Sequence, residues 1–183
     1  MAAFDDLVRR LVESFTTNNI DYMFTGALAA SFYGVPRTTA DVDVVVAVSR
    51  EGLRKLVSAL KQAGLVVDER EVNRVLESGY RIADFKDSKT PYSVDIIFSA
   101  KKKLEKRAGT VVGLETFYQT PEELILAKLR MIKAIIPKER SVKDGQDVIA
   151  ILNFTKVNVE AVKKQAKKDN TFTIYRNLTK AKR

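Results

Sequence analysis

Asp41 and Asp43 stand two positions apart in an otherwise apolar run made of Val42, Val44, Val45, Val46, Ala47 and Val48. Side chains alternate faces along a strand, so both carboxylates point one way while Val42 and Val44 point the other. Two like charges side by side repel each other, and burial would strip their hydration. A divalent cation removes both costs. Mg²⁺ suits the pair because it takes carboxylate oxygens and keeps water or substrate phosphates in its remaining positions. The alternative is a strand end whose two acids simply face solvent. Residues 22–48 as a whole read as strand, tight turn, short helix, loop and strand.

Composition narrows the chemistry that such a pair can serve. The chain has 183 residues, enough for one ordinary domain, or one domain with a helical appendage, and for a sizeable core. No apolar run approaches the length needed to cross a bilayer. The first residues, Met1 to Asp6, are acidic where a secretory leader would be basic, so the expected location is cytoplasmic, away from any membrane. With no cysteine there is no disulfide framework and no thiolate metal site. The absence of histidine removes the commonest general base and zinc ligand. Catalysis would therefore run on carboxylates, lysines and hard metals. The formal charge is +9 with a pI near 9.7, which points to an anionic partner. From Lys156 to Arg183 nine Lys or Arg residues face two acids, so most of the excess lies in that tail, either a solvated helix face or an arm for nucleic acid. High charge without Cys, His or Trp is also consistent with a thermophilic source.

Along the chain, Phe4, Leu7, Val8, Leu11, Val12 and Phe15 predict an amphipathic helix over residues 4–17. Residues 20–25 read as a strand, 28–33 as a short helix ended by Gly34 and Pro36, and 41–48 as the acid-bearing strand. Ser49 is the expected cap of a helix stopping at Gly64. Residues 65–69 predict a strand, 70–79 a short helix closed by Gly79, and 80–85 and 93–98 paired strands. A lysine cluster at 101–107 precedes one more strand at 110–117. At Thr120-Pro121-Glu122-Glu123 a capping Thr, a first-turn Pro and a Glu three residues on start a helix, and the rest to about residue 170 reads as helix, broken at 137–141 and 157–158. The expected class is α+β. A mixed twisted sheet of about five to six strands with flanking helices fills residues 1–118, followed by a helical subdomain with a basic tail over 119–183.

Gly26-Ala27 supplies a turn that opens a helix, so backbone N–H groups and a helix N-terminus are available to a phosphate. Thirteen residues separate Ala27 from Asp41, room for one short helix and a return loop that brings the carboxylates beside the turn. A phosphate cradle with a metal-binding pair is the minimum equipment for moving a nucleotidyl group. Phe24-Thr25-Gly26-Ala27 followed by Asp41-Val42-Asp43-Val44 resembles the signature of the nucleotidyltransferase superfamily, the polymerase-beta-like fold. That signature is a hydrophobic residue, Gly and Gly or Ser, then two acids alternating with hydrophobic residues. Ala27 departs from it, keeping the backbone N–H while lacking a hydroxyl. The resemblance implies a third carboxylate on a later strand, best assigned to Asp95 in Ser-Val-Asp-Ile-Ile-Phe, with Asp84 as the alternative. Tyr33, Gly34, Arg37 and Thr38, placed before Asp41 and Asp43, are similar to the abortive-infection toxin branch of that superfamily and its bacterial and archaeal relatives. Lys128 after Pro121-Glu122-Glu123-Leu124, with Asp144 and Asp147 in a Lys-Asp-x-x-Asp run, extends the likeness.

Lys128 falls near the middle of its helix's apolar face, about 40° from Leu124 at ~100° per residue. Buried alone it would cost several kcal/mol or lose its proton, so it must meet an acid or an anionic ligand. It either pairs with Asp144, or is oriented by Asp144 or Asp147 towards a phosphate. Arg37 either neutralises Asp41 and Asp43 or binds triphosphate or acceptor.

The resemblance implies Mg²⁺-dependent transfer of a nucleoside monophosphate from a nucleoside triphosphate to a hydroxyl. Asp41, Asp43 and Asp95 would hold two metal ions, Asp95 would also deprotonate or position the hydroxyl, and Gly26, Ala27, Arg37, Thr38 and Lys128 would steady the phosphates. The basic tail and the toxin-like motif favour RNA, such as tRNA, as acceptor, and an antitoxin protein as partner. Two rival expectations stand beside it. One is transfer to a protein or a small molecule, and the other is a catalytically weak module that binds nucleic acid or a partner protein.

Overall fold

In the computed structural model of the chain, residues 2–35, 38–77, 81–134 and 138–180 are described. They form eight helices and a six-stranded sheet, in the order α1 (Ala3–Thr17), β1 (Asp21–Phe24), α2 (Gly26–Phe32), β2 (Asp41–Ala47), α3 (Leu53–Gln62), α4 (Glu69–Glu77), β3 (Ile82–Lys86), β4 (Ser93–Phe98), β5 (Lys106–Val111), β6 (Leu114–Gln119), α5 (Pro121–Ala134), α6 (Lys138–Phe154), α7 (Val159–Lys168) and α8 (Phe172–Lys180). The sheet runs β3-β4-β2-β1-β6-β5 and is mixed, with β2 parallel to β4, β1 parallel to β6, and β1–β2 and β3–β4 antiparallel. This is the α+β class expected from the sequence. The chain divides into two compact units, Met1–Leu28 with Thr38–Tyr118, and Ala29–Arg37 with Gln119–Arg183.

In the first unit, strand alternation sorts the sheet's two faces. Val42, Val44 and Val46 of β2 and Val94, Ile96 and Phe98 of β4 are buried on one of them. The aromatic ring of Phe15 on α1 meets Tyr22 of β1, the partner of Val46, at 5.0 Å between centroids. α1 in turn packs on α3, and Ser14 Oγ donates to the Ala59 carbonyl at 2.6 Å. The opposite face carries Met23, Val45 and Leu104 as a small buried cluster with Ala47 and Ile97 beside it. Asp41 and Asp43 alternate with Val42, Val44 and Val46, so they lie on this second face, as does Asp95.

The second unit is helical. α5 and α6 form its main pair, with Leu124, Ile125 and Leu129 buried on one and Val148 and Ile151 on the other. α7 buries Val162 and Ala166, and α8 buries Tyr175. Thr120 caps α5 through a 3.4 Å bond from Glu123 N to its Oγ1, and Pro121 occupies the first helical position.

Several local expectations fail for identifiable reasons. Residues 65–69 make no strand. Leu65 forms one isolated bridge to Asp87, and the chain enters α4 at Glu69. The single strand expected at 110–117 is a hairpin, β5 and β6, turning at Val112 and Gly113. Ser49 does not cap α3 directly. Its Oγ accepts from Gly52 N at 3.2 Å, and the helix begins at Leu53. Helix beyond residue 170 was not expected, yet α8 follows a tight turn in which Asn170 adopts φ 56°. Gly79 and Tyr80, assigned to a helix end and a strand start, lie outside the described residues.

Candidate active site

Three adjacent strands bring four acids together. Register pairs Asp43 of β2 with Asp95 of β4, and Asp95 in turn with Asp84 of β3. Asp41, two residues before Asp43, pairs with Ser93 and takes a 3.0 Å hydrogen bond from its Oγ. Thr39 Oγ1 accepts from Asp41 N at 3.2 Å and fixes the entry to the strand. Both the expected third acid and its alternative therefore stand in one row, with Asp95 in the centre. Ser93 is a contributor that the sequence reading missed. Only knowledge of the β2–β4 register would have exposed it.

The row is electrostatically loaded. Partial burial, then the charges of Asp43, Asp84 and Asp41, push the Asp95 carboxyl up to about 6, helped by a hydrogen bond to Asp84. Such a group holds its proton well above the ordinary carboxylate range and gives it up near neutrality.

Gly26 explains how the turn and the strand fit. It adopts φ +58°, a conformation side chains rarely take, and a Cβ built on it would lie 1.9 Å from Asp43 Oδ2. The Asp43 carboxylate thus rests against the main chain where α2 begins. Thr25 N continues the ladder by donating to the Asp43 carbonyl at 3.0 Å. Ala27 follows, half-buried, and Thr38 is exposed. Arg37 lies outside the described residues.

Lys128, Asp144 and Asp147 form a separate group inside the second unit. Lys128 Nζ bonds Asp144 Oδ1 at 3.1 Å and Asp147 Oδ2 at 2.6 Å, with only 7% of the lysine side chain exposed. The acid that the buried lysine required is present twice.

Among the described residues no three His, Cys, Asp or Glu side chains already converge on one metal position. The donors in the row are carboxylate oxygens only. Mg²⁺ binds through one or two carboxylates and fills its octahedron with water and phosphate oxygens, so Asp41 and Asp43 suit it without a closed protein cage. No helix among the described residues is long and apolar enough to cross a membrane.

No protein-family model matches this chain, and no curated protein does either. Solved structures do. ANT(2'')-Ia in complex with adenylyl-2''-tobramycin aligns with a TM-score of 0.66 at 12% identity, over 93% of this chain and 98% of that one. An antigenic nucleotidyltransferase-like protein from Paracoccidioides brasiliensis aligns at 0.57 and 16%, over 84% and 78%. The lincosamide antibiotic adenylyltransferase LnuA, lincomycin-bound, aligns at 0.55 and 11%, over 85% and 99%. At these identities the likeness is one of architecture, and it is specific: the chain has the nucleotidyltransferase fold.

Proposed function

We propose that the protein is an enzyme that transfers a nucleoside monophosphate from a nucleoside triphosphate to a hydroxyl acceptor in the cytoplasm. The observation that carries this reading is the register of Asp43 with Asp95 on parallel strands, with Asp41 two residues along the same face and Asp43 set against Gly26. Residues 1–118 form the catalytic core and residues 119–183 an appended helical subdomain. Asp41 and Asp43 would hold Mg²⁺, and Asp95 would complete the site for a second ion. When bound, these ions offset the charge of the triphosphate and of the leaving pyrophosphate. Asp95 orients the acceptor hydroxyl and takes its proton. The backbone N–H groups at Gly26 and Ala27, with Thr38 and Arg37, steady the phosphates. Lys128, Asp144 and Asp147 have the geometry of an internally paired knot between α5 and α6, and we assign them that structural part in place of the expected phosphate contact.

RNA, such as tRNA, is the acceptor favoured by the +9 charge and its concentration after Lys156. The toxin-like motif around Tyr33, Gly34, Thr38 and Asp41 supports the same acceptor and, with it, a toxin role and an antitoxin partner. A second reading, transfer to a small-molecule hydroxyl, is favoured by the bound ligands of ANT(2'')-Ia and LnuA. One incubation separates them: protein, Mg²⁺ and each α-labelled nucleotide with total RNA in one arm and an aminoglycoside in the other. The RNA reading predicts label on RNA from at least one nucleotide. Label on the aminoglycoside alone supports the second reading, and label on neither overturns both.

A further inference from the structure

The burial of Val162, Ala166 and Tyr175 determines which sides of α7 and α8 turn inward. The outward side of α7 exposes Lys164, Lys167 and Lys168, and that of α8 exposes Arg176 and Lys180 together with Thr173 and Asn177. Only two acids occur between Lys156 and Lys180, and each is committed to another partner. Glu160 pairs with Lys163 at 2.8 Å, and Asp169 pairs with Arg130 at 2.6 Å while also accepting from Gln165. Among the described residues no ion pair engages the five outward cations.

We infer that this face of α7 and α8 binds the phosphodiester backbone of a nucleic acid. Two pairs, Lys164 with Lys168 and Arg176 with Lys180, sit four residues apart. That is about 6 Å along a helix axis, a spacing on the scale of neighbouring phosphates along a nucleic-acid strand. A protein partner fits the face poorly. Protein interfaces deplete lysine and gather aromatic and apolar side chains at their centre. None of the exposed large hydrophobic residues, Val66, Ile82, Phe117, Met131, Val142 and Phe154, lies in either helix. A membrane surface fits no better, because the apolar sides of both helices are already buried and leave nothing to insert.

The inference deepens the RNA-acceptor reading, but it does not involve the carboxylate row. The full chain, without triphosphate or Mg²⁺, is titrated with a fluorescent single-stranded RNA and a DNA of the same length, between 50 and 200 mM salt. Both are expected to bind, with log K falling against log salt by about 0.7 for each phosphate engaged. The variant K164Q/K168Q/R176Q/K180Q, with an unchanged melting profile, is expected to lose at least about tenfold in affinity at 100 mM salt and to flatten the slope by roughly 2 to 3. The variant R54Q/K55Q/K102Q/K103Q removes the same charge from exposed positions elsewhere and is expected to lose far less. Equal losses in the two variants, or no binding of either nucleic acid, would overturn the assignment. Binding through this face without any nucleotidyl transfer to RNA would uphold it and overturn the acceptor reading instead.

Discussion

At the scale of single residues, the site rests on one glycine and one loaded carboxyl. Gly26→Ala forces a Cβ onto Asp43 Oδ2 in a backbone region that alanine resists. The expected result is a loss of about 1–3 kcal/mol in thermal unfolding and at least a hundredfold loss of transfer rate, because Asp43 must move. Asp95 gives a pH signature in metal-free protein. Its carboxyl is raised in the fold, so the native state binds the proton more tightly than the unfolded chain, and Asp95 favours folding less as pH climbs from about 4 through about 6. Asp95→Asn should therefore melt higher than the wild type at pH 8 in EDTA. The gap should close as pH falls to about 4, and transfer activity should be lost throughout. Melting curves of wild type and Asp95→Asn at pH 4 and pH 8 check the sign. Lys128→Met, which leaves Asp144 and Asp147 without their cation, should cost about 3–5 kcal/mol in thermal unfolding.

At the scale of elements, what was legible followed from local chemistry. The i, i+3, i+4 spacing of Leu7, Val8, Leu11 and Phe15 gave α1, and the Thr120-Pro121 start gave α5 within a residue. The alternation that makes Asp41 and Asp43 face one way is local too. What was not legible depends on pairing across distance. Nothing near Leu65 in sequence says that it will meet Asp87 in an isolated bridge, with Val66 N donating to the Lys86 carbonyl. The Arg10 side chain bonds both Asp87 oxygens, at 2.9 and 3.0 Å, 77 residues away, and the Ala63 carbonyl as well. That clamp, unreadable from either segment, holds the chain just past the end of β3, the strand that carries Asp84. The hairpin of β5 and β6 escaped notice because Val112 disguises its turn. It adopts φ 45° beside Gly113 at 80°, where Asn-Gly would have signalled the turn openly. Arg9 Nη2 holds the Val112 carbonyl at 2.9 Å. Val112→Asn keeps that bond and relieves the valine, so it should stabilise the protein by about 1 kcal/mol in denaturant unfolding, leaving transfer unchanged.

At the scale of the whole molecule, two charge patterns divide the labour. The first unit gathers Asp43, Asp84 and Asp95 in one row with Asp41 two residues along the same face, and the second ends in helices whose acids are paired and whose outward cations make no ion pair among the described residues. The chain shares its fold with ANT(2'')-Ia and LnuA; on the proposed reading the row serves nucleotidyl transfer, and the basic helices bear on which acceptor receives the nucleotide. The central claim is that the acids of β2 do this chemistry. It is tested most directly by pyrophosphate release from nucleoside triphosphates with Mg²⁺ and acceptor, in wild type and in Asp41→Asn and Asp43→Asn proteins of unchanged melting temperature. The account predicts release by the wild type and a loss on the order of a thousandfold in each variant, the several kcal/mol that a metal clamp supplies. Release by Asp43→Asn at the wild-type rate, or none by folded wild type with any of the four nucleotides, would contradict it.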